Sequence, residues 1–332
     1  MDADAKTPPA GEGQGLQLPA RWIPTPTTVS EHARAMLSAP MSKRTTPPDR
    51  ADKAGWRAYA AEGNALITRL TAAQVARTPC EIREHKVGEV SLYEVTPPNL
   101  SPADEDKVIL FTHGGGFLHG SGIACAYMAQ PLATAARLRV LSVDYRMPPD
   151  HPFPVGLEDA LACYRATLER YAPEHIAIAG GSAGGGLAAS LILKLRDEGL
   201  PLPAACLLSS PEADLTESGD TFETNAYIDV VLRTRLTDSI AVYADGHDLT
   251  DPYLSPVFGD FTKGFPPTII TSGTRDLFLS NCARMQRGLR NAGIECELHV
   301  WEARPHGGFF GAPEDAECLA EEAGFVRRKL CG

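Results

Sequence analysis

Apolar and polar positions alternate in two different ways along this chain. KVILFTH at 107–113, RVLSVDY at 139–145, HIAIAGG at 175–181, ACLLSS at 205–210, PTIITSG at 267–273 and CELHVWE at 296–302 are short and mostly apolar, and each ends in turn or loop residues. Runs of this kind predict strands buried on both faces. Helix-length segments at 122–137, 155–171, 183–198, 279–292 and 314–330 accompany them, and the alternation predicts a parallel sheet in a layered α/β fold. Two earlier stretches, EIREHKV and VSLYEVT, alternate residue by residue and predict a pair of half-buried strands.

Upstream, SEHARAMLSA starts with a Ser cap and an early Glu, which predicts a short helix. Asp49 to Arg77 reads as a longer helical stretch with Trp56, Tyr59, Leu66, Ile67 and Leu70 as its apolar positions, and Gly55 and Gly63 leave room for two pieces. Residues 1 to about 50 are rich in Pro, Thr and Ala, and the first fifteen or so are expected to be disordered. The stretch 212–245 interrupts the strand–helix alternation as a partly helical insertion without a strand of its own. There is no internal repeat.

Composition changes this picture little. With 332 residues, 43% hydrophobic and 22% charged, the chain is an ordinary globular one, long enough for a large core. Its net charge of −11, with no Lys/Arg run long enough to offset it, argues against binding a phosphate backbone. The eight cysteines, at 80, 125, 163, 206, 282, 296, 318 and 331, form no C-x-x-C pair and have no His at metal-ligand spacing. Free thiols are expected, with no metal and no cofactor. The N-terminus has neither a basic nor an apolar region of a signal peptide, and no apolar stretch is long enough to span a membrane. A cytoplasmic protein is expected.

Chemistry concentrates at two glycine-rich loops. GGSAGGG at 180–186 follows one predicted strand and opens a helix, and Gly180, Ser182 and Gly184 meet the pattern G-x-S-x-G. The glycines suit a sharp strand-to-helix turn that holds the serine in a strained conformation. The helix behind it directs N–H groups and its dipole at developing negative charge. In a chain with 30 glycines the pattern alone is weak, and a phosphate loop is its competitor. Neither G-x-G-x-x-G at this turn nor G-K-[ST] anywhere in the chain supports that competitor. HGGGFLHGS at 113–121 ends another strand and offers backbone N–H groups to an oxyanion. The donors read from this pair of loops are Gly115, Gly116 and Ala183, with His113 as a structural residue that orders the loop.

A base and an acid should follow the serine on loops after late strands. His306, in ARPHGGFF after the last strand, is preferred to His247 and to His299, which lies inside a strand. Asp276, in SGTRDLFLS, is the acid, its competing role being an N-cap of the helix at 279.

These motifs, with DYRMPPDHPFPVGLEDA at 144–160, DPYLSP at 251–256 and PHGGF, resemble the hormone-sensitive-lipase-like family of bacterial esterases over about residues 80–330. The resemblance implies the α/β-hydrolase fold, an eight-stranded, mostly parallel sheet flanked by helices, with a helical cap. It implies a catalytic domain of 80–211 and 246–332, and a cap from the N-terminal segment 1–75 and a second segment, 212–245. The Asp-Tyr-Arg segment would brace the oxyanion loop, with His151 as a structural turn residue. Implied activity is hydrolysis of short- to medium-chain carboxylic esters, a small-molecule substrate, without cofactor, membrane or nucleic acid. A homodimer is compatible with it. The chain departs from the family at Gly181, where Asp is more common. Trp22, Met36, Phe222, Tyr227 and Ile228 are candidate cap walls, for which simple cap packing competes, and Leu277 and Phe278 are further candidates near the site. Acyl transfer to alcohols, amide or lactone hydrolysis, and a non-catalytic receptor that closes over a small ligand are the alternative functions.

Overall fold

The computed structural model describes residues 19–20, 22–39, 46–76 and 79–332. The disorder expected for the first fifteen residues falls outside them. Eight strands form one sheet in the order β1-β2-β4-β3-β5-β6-β7-β8. They are β1 (Glu81–Val87), β2 (Val90–Thr96), β3 (Val108–Thr112), β4 (Arg139–Asp144), β5 (Ile176–Gly181), β6 (Ala205–Ser209), β7 (Thr268–Gly273) and β8 (Cys296–Trp301). β2 runs antiparallel to β1 and β4, and every other pairing is parallel.

Residue alternation sends each central strand into two cores. Val108, Leu110, Ile176, Ile178, Cys206, Leu208 and Ile270 face one of them. There they meet α4 (Val155–Leu168), α5 (Ala183–Asp197) and α8 (Leu279–Asn291). Ile109, Phe111, Ala177, Ala179, Leu207 and Ile269 face the other, against α3 (Ile123–Ala136) and α9 (Pro313–Cys331). Leu187, Leu191, Ile192 and Leu195 of α5 are buried, each contributing about 2 kcal/mol of transfer free energy. A strand with apolar residues on both faces therefore reads as an uninterrupted apolar run. Both edge strands depart from the burial predicted for them. β1, paired only with β2, has five exposed residues of seven, and β8, paired only with β7, has Cys296 as its one buried residue instead of burial on both faces.

Among the described residues, two helices precede the sheet. In α1 (Glu31–Ser38), Ser30 Oγ accepts the N–H of Ala33 at 3.2 Å, as the Ser cap predicts. α2 (Lys53–Val75) is a single helix despite its glycines. Asp52 Oδ1 accepts the Gly55 N–H at 2.8 Å near its start. At Gly63 a Cβ would stand 2.4 Å from the His119 ring, so glycine is what lets α2 approach the 113–121 loop. The insertion contains α6 (Thr221–Thr224) and α7 (Thr237–Ala244). Cys125, Cys163, Cys206, Cys282, Cys296 and Cys318 are buried thiols. Among the described residues no helix is long and apolar enough to cross a membrane.

Candidate active site

Parallel strands deliver their loops to one edge of the sheet, and the loops after β3, β5, β7 and β8 meet there. Between β5 and α5, Ser182 has φ 56° and ψ −127°, a conformation that L-residues seldom adopt. Its surroundings hold it there. The Ser182 N–H donates to Ser209 O at 2.9 Å, and its carbonyl accepts the N–H groups of Gly185 and Glu212, both at 2.9 Å. The flanking glycines leave no space for side chains: a Cβ on Gly180 would lie 2.2 Å from Gly184 O, and one on Gly184 would lie 2.1 Å from Thr112 O. Gly181 differs, since its nearest neighbour would be Ser209 O at 3.7 Å.

The glycine loop after β3 folds against this turn. A Cβ on Gly114 would stand 3.1 Å from the Ser182 Cβ, and Gly115 and Gly116 have positive φ. The N–H groups of Gly115, Gly116 and Ala183 donate to no described residue. The predicted brace is in place. The Tyr145 hydroxyl donates to His113 O at 2.7 Å, the two rings stack at 4.2 Å, and Asp144 accepts the Gly122 N–H at 3.0 Å. Burial pulls the His113 pKa down to about 4, and the ring is neutral at neutral pH. His151 lies in a turn, its N–H donating to Met147 O.

Asp276 follows β7 and His306 follows β8. His306 Nε2 lies 2.9 Å from Ser182 Oγ, and its Nδ1 lies 3.1 Å from Asp276 Oδ1. An ionised carboxylate only accepts, so Nδ1 carries the proton and Nε2 is free to accept from the serine hydroxyl. Asp276 is fully buried, and Ser272 Oγ donates to its Oδ2 at 2.7 Å. It also accepts the Phe278 N–H at 2.9 Å, but Phe278 is the cap residue of α8, so Asp276 is not that helix's N-cap. Burial lowers the His306 pKa, but Asp276, by charge and hydrogen bond, together with Asp229 and Glu212, outweighs it and raises the value. The other two histidines stand elsewhere. His299, on the outer strand β8, bonds Glu321 of α9, and His247 bonds Ala244 O.

Two acidic residues of the insertion join this centre without a motif to announce them. Glu212 is buried with no hydrogen-bond partner for either carboxylate oxygen among the described residues, and burial followed by Glu217 pushes its pKa up to about 8. Asp229 is fully buried and bonds the backbone of the His306 loop. Of the candidate wall residues, Phe222, Leu277 and Phe278 pack together with Leu232 and Leu236. Phe278 lies edge-on to the His306 ring at 4.7 Å, and Leu236 reaches within 3.6 Å of where a Cβ on Gly116 would sit. Met36 packs with α1 against Phe309, and Ile228 is half-buried. Trp22 and Tyr227 face solvent, 89% and 65% exposed.

A family model for the alpha/beta hydrolase fold matches residues 109–310. The chain belongs to that family. An acetyl-hydrolase of Streptomyces hygroscopicus is 35% identical over 220 residues, 65% of this chain and 73% of the relative. Among solved structures, esterase E25 superposes with a TM-score of 0.85 at 33% identity, covering 95% of this chain and 98% of that one. An esterase from the bacterial hormone-sensitive lipase family gives 0.74 at 31% identity, covering 90% and 96%. The resemblance read from the motifs of this α/β hydrolase thus extends to nearly the whole fold.

Proposed function

We propose that this α/β hydrolase is a carboxylesterase with Ser182 as nucleophile, His306 as general base and acid, and Asp276 as the acid behind it. The observation that carries the reading is the line Ser182 Oγ–His306 Nε2 at 2.9 Å and His306 Nδ1–Asp276 Oδ1 at 3.1 Å, beside the unpaired N–H groups of Gly115, Gly116 and Ala183. Similarity to an acetyl-hydrolase and to esterases supports the substrate class.

In this reading Ser182 Oγ attacks the ester carbonyl carbon as its proton passes to His306 Nε2. The carbonyl oxygen becomes an oxyanion held by the three N–H groups, each of which contributes on the order of 3 kcal/mol to the transition state. Collapse breaks the bond to the alcohol oxygen, and that alcohol leaves with the proton from His306. Water then gives its proton to His306 and attacks the acyl-enzyme, releasing the carboxylic acid and restoring Ser182. The alkoxide leaves more readily than an amine, which favours esters over peptides. Phe222, Leu277 and Phe278, with Leu232 and Leu236, form an apolar wall suited to short or medium acyl chains. The segment 212–245 and the described residues of the N-terminal segment serve as the cap over the catalytic domain.

Release of p-nitrophenol from acetyl to octanoyl esters tests this reading. Wild type turns them over, and Ser182→Ala loses activity on the order of 10⁴-fold or more while keeping its circular dichroism. Absence of turnover in wild type across the series, or activity that survives in Ser182→Ala, contradicts it.

A further inference from the structure

Asp229 lies between α6 and α7, in a stretch without strand or helix, yet it is wholly buried. Its carboxylate accepts four backbone N–H groups. Oδ1 takes those of Val231 and Leu232, both at 2.9 Å, and so closes a turn of its own segment. Oδ2 takes those of Leu277 at 2.9 Å and His306 at 3.1 Å. Leu277 directly follows Asp276. One oxygen atom therefore joins the loop that carries the acid to the loop that carries the imidazole, and the other joins both to the insertion. Hydrogen bonds to a carboxylate are roughly twice as strong as neutral ones and favour its ionised form. Burial, the largest effect, nevertheless leaves the Asp229 pKa raised above the ordinary carboxylate value, although the nearby His306 also favours the ionised form.

We propose that Asp229 is a positioning residue for the reaction, through which the 212–245 segment holds the acid loop and the histidine loop in register. This rests on the serine-esterase reading above. Its first consequence is geometric. The Ser182–His306–Asp276 line depends on two loops that leave different strands, and a misplacement of about 1 Å between such groups costs roughly 100-fold in rate. A displacement of the insertion that breaks these bonds disassembles the triad, so the segment that covers the site also completes it.

The second consequence is electrostatic and separates positioning from simple structural support. The acidic groups that act on His306 are Asp276, Asp229 and Glu212, and all three favour its protonated form. His306 accepts a proton only when neutral, so kcat/KM rises with pH through its pKa. That limb lies above the ordinary histidine value in wild type. Removing the Asp229 charge lowers the His306 pKa and moves the limb to lower pH.

The test is the pH profile of p-nitrophenyl butyrate hydrolysis for wild type, Asp229→Ala and Asp229→Asn, with kcat and KM separated and folding followed by thermal melting. The expected result is a fall in kcat of roughly 10- to 100-fold in Asp229→Ala, with KM little changed. Asp229→Asn, which keeps one acceptor oxygen and the size of the side chain, recovers part of kcat. In both variants the acid limb moves to lower pH. Should Asp229→Ala fail to fold, Asp229→Asn decides by its limb. Folded variants with wild-type kcat, or with reduced kcat and an unmoved limb, overturn the proposal. Wild-type protein without turnover overturns the esterase reading itself, and this inference falls with it.

Discussion

Gly181 and Gly184 stand on either side of Ser182 and obey opposite constraints. At Gly184 a Cβ would lie 2.1 Å from Thr112 O and 2.4 Å from His113 O, both backbone atoms that cannot move aside without displacing the loop that follows β3. At Gly181 the nearest contact would be an ordinary 3.7 Å, and φ is not in the left-handed region. Gly184→Ala is therefore expected to lose both stability and esterase activity. Gly181→Ala is expected to keep its activity and to gain about 0.4–1 kcal/mol from a less flexible unfolded chain. Urea denaturation and p-nitrophenyl butyrate turnover of the two variants check this, and equal behaviour would contradict it. The departure from the more common Asp at Gly181 thus leaves the turn intact. The residues of the proposed triad are legible in the sequence because each sits after a predicted strand, in the order that the fold imposes. Asp229 and Glu212 are not legible, because they lie in an irregular insertion where neither period nor motif marks a buried carboxylate. Trp22 and Tyr227, candidate walls in the sequence, face solvent, because residue type alone does not say which way a side chain points.

At the scale of elements, apolar runs bounded by turn residues locate six strands, and residue-by-residue alternation locates β1 and β2. A run of about four to seven such residues is too long to be a turn and too short to be a helix. The exposure of β1 is not legible from its alternation, since position at the edge of a sheet is a property of topology. Nor is the continuity of α2. The glycine that suggests a break, Gly63, is there because the helix presses on His119. One residue further on, Asn64 Oδ1 accepts the Gly120 N–H at 2.5 Å and the Ser121 N–H at 3.3 Å, and its Nδ2 donates to Ser121 Oγ at 2.8 Å. A helix outside the sheet thus braces the far end of the glycine loop. Asn64→Ala leaves the buried Gly120 N–H without its acceptor, which is expected to cost about 1–3 kcal/mol in stability. A lower kcat should accompany it as the proposed oxyanion donors lose their support, with the acid limb of the pH profile unmoved because no charge near His306 changes. Chemical denaturation and the same pH series measure both effects. Unchanged stability and kcat would show that α2 merely lies alongside the loop.

On the scale of the whole molecule, parallel strands place four loops at one edge of the sheet, and that edge gathers a serine, a histidine, an aspartate and a glycine loop from residues 114 to 306. The insertion then adds, through Asp229, a bond to two of those loops. The proposed ester hydrolysis requires Ser182 to be a nucleophile activated by His306. The most direct measurement is the reaction of the intact protein with a fluorophosphonate, followed by intact mass and peptide mapping. One phosphonyl group per chain is expected, on the peptide that contains Ser182. It is absent in Ser182→Ala and forms much more slowly in His306→Ala. A label on another serine, or one that persists in Ser182→Ala, would contradict the account.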